Sequence, residues 1–406
     1  MESDQWLQGV RVLDFTQYLA GPACTRMLAE LGAEVIKVEQ PPYGDPNRGG
    51  RPRLNRRAGN HIQQNRLKKS LCVDLSTDDG VQLIRELVPH CDIVVENFSK
   101  GVLDRRGLGY DDLRHIKPDV IMASITGFGH TGPLAERPGF EFIAQAMTGV
   151  MHLTGEADGP PMFVGIGMAD TNAGVHAWGA IGHALFRRER TGKGTHLDIS
   201  LVDCLFQMHE TAVYAESMTD GQFEAMRRGR HYEPISPAGA FQGPEGWIVV
   251  FCAENQVRNL FAAMGMPELA DDERFKGNPA RIANRDALTD IIEEWMSRFE
   301  TDQQVMATLE AHRVPCGPVL SVWEAMHHPH LVERATVRTV ADPLAGPVSV
   351  PGFPIRTVDP ADLAVAEGVA PALGQHNTDV LGGILGKSAA ELEALEADGV
   401  IASKDR

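Results

Sequence analysis

Short, nearly uninterrupted apolar runs recur through the first third of the chain, at residues 10–15, 35–38, 70–75, 93–98 and 120–125, with helix-compatible stretches between them. Strands covered by helices on both faces read this way, whereas strands with one solvated face alternate polar and apolar residues. The pattern restricts the chain to the α/β class, with a Rossmann-like, largely parallel sheet. Its punctuation agrees: a strand, a Gly-Pro turn, a helix over residues 22–31 that Pro22 opens and Gly32 ends, then the next strand.

At 406 residues the chain exceeds the roughly 250–300 at which a single core stops growing, which predicts two domains. A Gly-rich turn, TGKGT, a strand at 196–199 and a helix over 201–215 precede a change of texture. Residues 1–220 are expected to form the first part of a large Rossmann-like domain. Residues 221–318, richer in charge and with a hairpin signal in GAFQGPEGWIVVF, read as a smaller α+β domain with helices over 255–264, 281–298 and 302–312. Residues 319–406, extended through PLAGPVSVPGFPIR and helical near 379–385, read as a return segment completing the large domain. No internal repeat is evident.

Composition excludes several classes of function. A formal net charge of −17 argues against general nucleic-acid binding, which needs a basic surface. The six cysteines are scattered without a CxxC pair, which signals neither a disulfide framework nor a zinc site and fits a reducing cytoplasm. The first residues lack a basic, apolar leader, and no stretch approaches the roughly 18 apolar residues of a membrane span; a soluble, cytoplasmic protein is expected.

Chemistry concentrates in residues 163–198, around Asp170. This carboxylate follows Gly165, Ile166, Gly167, Met168 and Ala169 and opens a Gly- and Ala-rich helix. Locally it admits two readings: a helix N-cap, or a nucleophile that the glycines leave room to approach. Helix N–H groups there are expected to keep it ionised at neutral pH. A second feature is the loop PPYGDPNRGGRPRLNRRAGNHIQQNRLKK, with Arg48, Arg51, Arg53, Arg56, Arg57, Arg66, Lys68 and Lys69. It reads either as a solvated basic loop or as an anion site, since guanidinium groups clamp carboxylates and phosphates. GFGHTGP spells GxGxxG at Gly127, Gly129 and Gly132, but Pro133 follows and no helix opens there, so a loop is expected and a classical dinucleotide site is not. In the run His327, His328 and His330, Pro329 breaks any helical i, i+4 geometry and no thiol or carboxylate clusters with the three, so exposed loop histidines and no metal site are expected.

The ordered motifs VRVLDFTQYLAGP, LGAEVIKVEQPPYGDPNR, KKSLCVDL, VVENFSKGVLDRRGLGY, SITGFGHTGP and GMADTNAGVHAWGAIGHALFRRERTGKGTHLDISL, followed by RVPCGPVL and ALGQHNTDVL, span nearly the whole chain. Together they resemble the class III CoA-transferases, the formyl-CoA transferase or carnitine CoA-transferase (CaiB/BaiF) family. The resemblance implies that Asp170 is the nucleophile, attacking an acyl-CoA thioester to give an aspartyl anhydride and then an aspartyl-CoA thioester. It places Gln17 beside the reacting thioester and Asn97, Phe98, Arg105, Val38 and Lys69 along the coenzyme A. Coenzyme A enters as substrate; no tightly bound cofactor and no metal are implied. The assembly implied is a homodimer of interlocked rings.

Two departures matter. The related 2-methylacyl-CoA racemases carry a histidine where this chain has Phe140, followed by Glu141, which leaves racemase or epimerase activity as the alternative. A non-catalytic CoA-binding protein is a further alternative. The glycine run that formyl-CoA transferase folds over its site is replaced by GRHYEPISPAG, where Arg230, His231 and Tyr232 are candidate substrate residues. With Arg48, they suggest a substrate bearing an additional carboxylate, such as succinyl-CoA.

Overall fold

The computed structural model describes residues 5–403, which divide into two compact units. One unit takes in the described residues up to Gly149, then Val164–Val213, then the described residues from His330 onward. Its centre is a six-stranded sheet of β1 (Arg11–Asp14), β2 (Glu34–Glu39), β3 (Lys69–Cys72), β4 (Ile93–Glu96), β5 (Ile121–Thr126) and β6 (Thr195–Ser200). The strands lie in the order β3-β2-β1-β4-β5-β6 with every neighbouring pair parallel. The chain works outward from β1 to β3 and then restarts on the other side at β4. A crevice therefore opens between β1 and β4, beyond their carboxyl ends.

Burial explains the continuous apolar runs. Every residue of β4 and β5 is buried, because helices cover both faces of the sheet. One core cluster joins Leu13, Ile36, Leu71 and Val94 of the strands to Leu83 and Leu87 of α2 (Asp78–Leu87), and to Val380, Leu381, Val400 and Ile401 of the returning chain. On the other side lie α1 (Ala20–Glu30) and the long helix α5 (Met168–Thr191). Their contact depends on Gly174, where an added Cβ would sit 2.6 Å from the carbonyl oxygen of Ala20. The small residues of α5 thus serve close helix packing, which brings the start of α1 beside the start of α5.

The basic loop is folded back on acidic partners of its own unit. Arg48 grips Glu39 through two nitrogens at 2.7 and 2.6 Å, and Arg57 pairs with Asp342, Arg66 with Glu30, Lys68 with Asp14 and Lys69 with Glu34. Arg48 and Arg57 also donate to the carbonyls of Pro371 and Ala370, tying the returning chain to the basic loop. Arg51, Arg53 and Arg56 remain exposed.

The expected helix over 201–215 is interrupted. It ends at Phe206 as α6 (Leu201–Phe206), and Asn172 donates to the carbonyl of Cys204 at 2.6 Å, satisfying one of the acceptors left open in the last turn; a separate helix follows at Ala212–Met218.

The second unit comprises Val150–Phe163 and Tyr214–Pro329. A three-stranded antiparallel sheet has β8 (Trp247–Phe251) between β7 (Ala238–Gln242) and β9 (Cys316–Pro318). Ile248 and Val250 point into a core with Phe261, Ile292, Trp295 and Leu309, and the alternate residues Trp247, Val249 and Phe251 face outward, as strand alternation requires. The expected helix over 281–298 is two, Asn278–Ala283 and Arg285–Met296, separated at Asn284.

Candidate active site

The crevice between β1 and β4 is built from the residues that leave those two strands. Gln17 and Asn97 face each other across it. The backbone N–H of Gln17 donates to Asn97 Oδ1 and Asn97 Nδ2 donates to the carbonyl of Gln17, both at 2.8 Å. Two cavities open here. One, of about 210 Å³, is lined by Gln17, Asn97, Phe98, Lys100, Arg137, Phe140 and Asp170 among others. The other, of about 190 Å³, is lined by Gln17, Val38, Gln40, Phe98 and Arg106 among others. Gln17 and Phe98 form walls of both.

Asp170 stands in the first turn of α5. It is not an N-cap: that position belongs to Gly167, and no side chain of the local sequence caps the helix. The cap comes from the tertiary fold. Glu141, the first residue of α4 (Glu141–Met147), accepts the backbone N–H of Ala169 on Oε1 at 3.0 Å and that of Asp170 on Oε2 at 2.8 Å. Gln145, one turn on, donates to Glu141 Oε1 at 2.7 Å and fixes the carboxylate further. Glu141 is buried and satisfies the orphan donors of the helix end.

This arrangement reverses the expectation that helix N–H groups keep Asp170 ionised, because those of Ala169 and Asp170 itself are taken by Glu141. Burial and, secondly, the negative charge of Glu141 push the Asp170 carboxyl up to about 7. A carboxylate so destabilised is a better nucleophile than one in water, and near neutral pH it still exchanges its proton.

GFGHTGP is a loop, as its Pro133 predicts. Gly129 and Gly132 adopt left-handed φ values of 79° and 86°, and an added Cβ on Gly127 would lie 2.6 Å from the Cα of Gly139. The loop thereby packs directly against the residues that lead into Phe140 and Glu141. Phe140 lines the larger cavity and is exposed; no histidine lines that cavity among the described residues.

The fold thus brings Gln17, Val38, Asn97, Phe98, Phe140 and Asp170 to the two connected walls, with Glu141 directly beneath Asp170. Other candidates line neither cavity. Arg48 is engaged by Glu39, Lys69 by Glu34, and Arg105 lines neither cavity, whereas its neighbour Arg106 does. In the second unit Arg230 pairs with Glu293 and stacks over Trp247 at 5.1 Å, His231 meets the edge of Phe241, and Tyr232 lies near Phe251. Tyr18, Lys100 and Arg137 line the larger cavity without having been singled out by sequence. Tyr18 carries no sequence signal for its left-handed backbone, and Arg137 lay a few residues before the Phe140 and Glu141 pair, where its direction could not be read. Among the described residues no cluster of His, Cys, Asp and Glu could hold a metal ion, and no helix is long and apolar enough to cross a membrane.

Comparison with known proteins shows the family. The family model for CoA-transferase family III matches residues 7–377. The chain is 38% identical to succinyl-CoA:glutarate CoA-transferase of Mus musculus, over 97% of this chain and 90% of that protein. It is 37% identical to succinyl-CoA–D-citramalate CoA-transferase of Chloroflexus aurantiacus, over 97% and 98% of the two chains. Among solved structures it resembles a CaiB/BaiF family protein from Brucella suis, with a TM-score of 0.82 and 35% identity over 94% of this chain and 99% of that one. The chain therefore belongs to CoA-transferase family III, the CaiB/BaiF family, and is an enzyme of the CoA-transferase class.

Proposed function

We propose that the enzyme moves coenzyme A from a dicarboxylyl-CoA, succinyl-CoA first among them, to a carboxylic acid acceptor by way of Asp170. The carboxylate of Asp170 attacks the thioester carbonyl, the carbon–sulfur bond breaks, and CoA leaves as a thiolate while a mixed aspartyl anhydride forms. The thiolate then attacks the Asp170 carbonyl of that anhydride, releasing the donor acid and leaving an aspartyl-CoA thioester. The acceptor carboxylate repeats the sequence in reverse and departs as its CoA thioester. Atoms and charge balance without metal or redox chemistry.

The observation that carries this reading is the placement of Asp170. Its carboxylate, pushed up to about 7, lines the same cavity as Gln17 at the switch point of the sheet. Gln17 supplies an amide able to steady developing negative charge on the acyl oxygen. Val38, Asn97 and Phe98 are assigned to the coenzyme, with the 190 Å³ cavity for its nucleotide end. Arg137 puts positive charge in the lining of the Asp170 cavity, and Lys100 lines it while paired with Glu136 at 3.0 Å; a guanidinium there suits either the CoA phosphates or the second carboxylate of a dicarboxylate. The relatives named for succinyl-CoA support the choice of donor. Phe140, which lines the cavity and has no proton to exchange, is a reason to prefer transfer over racemisation.

A cytoplasmic homodimer is part of the same reading. Phe140, Phe142, Ile143, Met147, Val175 and Phe186 are exposed apolar side chains of the first unit, of the kind that a second copy would cover. Incubating the enzyme with succinyl-CoA and a panel of carboxylic acids, with mass spectrometry of the CoA products, tests the function. Transfer to dicarboxylates such as glutarate is expected; α-deuteration of a 2-methylacyl-CoA in heavy water without transfer would replace the reading by the racemase alternative.

A further inference from the structure

Residues 16–18 form the turn that carries Gln17, and their backbone is held almost entirely by side chains. Asp14 accepts the N–H of Thr16 at 2.9 Å, and the buried ammonium of Lys37 donates to the carbonyl of Thr16 at 2.6 Å. Asn97 takes both backbone groups of Gln17. Asp45, itself paired with Lys37 at 2.9 Å, accepts the N–H of Tyr18 at 3.3 Å, and Asn47 Nδ2 donates to the carbonyl of Tyr18. Such external anchoring has a reason. Tyr18 sits at φ 63°, a left-handed conformation that a non-glycine residue leaves unless its surroundings hold it.

Not all of these anchors are alike. Asn97 lines the cavity and is assigned to the coenzyme, while Lys37, Asp14 and Asp45 belong to a fully enclosed set of charges on which the fold itself depends. Asn47 is uncharged, buried and lines neither cavity. It occupies the basic loop, is fixed by its backbone N–H to Asp45 at 2.9 Å, and accepts from Asn60 on its Oδ1 at 3.2 Å. Its remaining donor is aimed at the one strained peptide of the turn.

We propose that Asn47 is a positioning residue for the transfer reaction: by holding the Tyr18 carbonyl it keeps the turn, and with it the Gln17 amide, in the orientation the thioester meets. This rests on the assignment of the site to CoA transfer. Loss of that hold lets Tyr18 relax from its left-handed conformation and turns Gln17 away from the acyl oxygen, while the coenzyme contacts of Val38 and Phe98 stay in place.

A double-mutant cycle on the full-length enzyme tests it, using Asn47→Ala, Gln17→Ala and the pair, with succinyl-CoA as donor, calorimetric CoA binding and a melting curve for each. Misplacing a reacting group by a fraction of an ångström to one ångström costs about ten- to a hundredfold in rate. Asn47→Ala is expected to lower kcat by about tenfold or more while its CoA Kd stays within about threefold of wild type, and in the Gln17→Ala background it costs less than about twofold. Asn47→Asp, which keeps the shape but has no donor, follows Asn47→Ala and decides the matter should the alanine variant fail to fold. Losses that multiply in the cycle, a fall in kcat that tracks CoA affinity or melting temperature, or full activity in Asn47→Asp would each overturn the proposal. If the wild type transfers CoA from no donor, the transferase reading itself fails and the positioning role falls with it.

Discussion

The backbone N–H of Asp170 donates to the carboxylate of Glu141 at 2.8 Å, so the residue that caps helix α5 also sets the charge environment of the Asp170 side chain. Burial raises the Asp170 carboxyl first, and the negative charge of Glu141 raises it further.

The first consequence is a pH profile. Since only the ionised Asp170 attacks a thioester, the rate of CoA release from the donor should climb with pH through about 7 and level above it. In Glu141→Gln the neighbouring charge is gone and the acid limb should move to lower pH, with a lower plateau because the cap accepts less well. Single-turnover CoA release between pH 5 and 9 measures both; a limb that does not move in the variant contradicts the coupling.

The second concerns stability. In the folded protein the Asp170 carboxyl is pushed up to about 7, above its ordinary value of 3.8, so the group favours folding below 3.8 and loses that contribution as pH rises through 7. Asp170→Asn removes the cost of burying a charge. At pH 8 the variant should melt higher than wild type by roughly a degree or more, and the gap should close by about pH 4. Equal differences at both pH values would rule out the electrostatic origin.

The basic loop provides a third test. Burial alone would raise Glu39, but the hydrogen bonds and charge of Arg48 and the charge of Lys37 outweigh it and hold the carboxyl well below its usual range. Arg48→Ala takes the guanidinium from this buried carboxylate, leaving it the Ser70 hydroxyl and the Asp45 N–H, and is expected to cost about 3 kcal/mol in urea unfolding. Arg53→Ala, on an exposed side chain, should stay within about 0.5 kcal/mol. A larger effect on catalysis than on stability for Arg48→Ala would return Arg48 to the substrate site.

Packing supplies a fourth. At Gly174 a Cβ meets the Ala20 carbonyl at 2.6 Å, backbone that cannot give way cheaply. Gly174→Val should separate α1 from α5, cost about 1–3 kcal/mol in stability, and lower activity by moving Asp170 from the Gln17 turn. Unchanged urea midpoint and turnover would show the contact to be incidental.

What the sequence disclosed follows the range of its signals. β1 to β5 were readable because burial on both faces writes itself as local apolar runs. Their order was not, since the neighbours β1 and β4 are joined by no local pattern; nor was the meeting of Gln17 and Asn97, 80 residues apart. Asp170 stood out by its glycine-rich approach and by family resemblance. That Glu141, 29 residues earlier, takes the donors expected for Asp170 could not be read, because a tertiary cap leaves no motif. The basic loop invited an anion-site reading for a related reason: the acids that absorb its charge lie as far away as Asp342, 285 residues from Arg57.

Transfer of CoA rests on Asp170 as the covalent carrier. Wild-type enzyme mixed with succinyl-CoA and quenched with hydroxylamine should yield a hydroxamate on the peptide containing Asp170, and Asp170→Ala should bind CoA yet show neither the hydroxamate nor transfer to glutarate. Transfer by Asp170→Ala at the wild-type rate, or a hydroxamate on another residue, would contradict it.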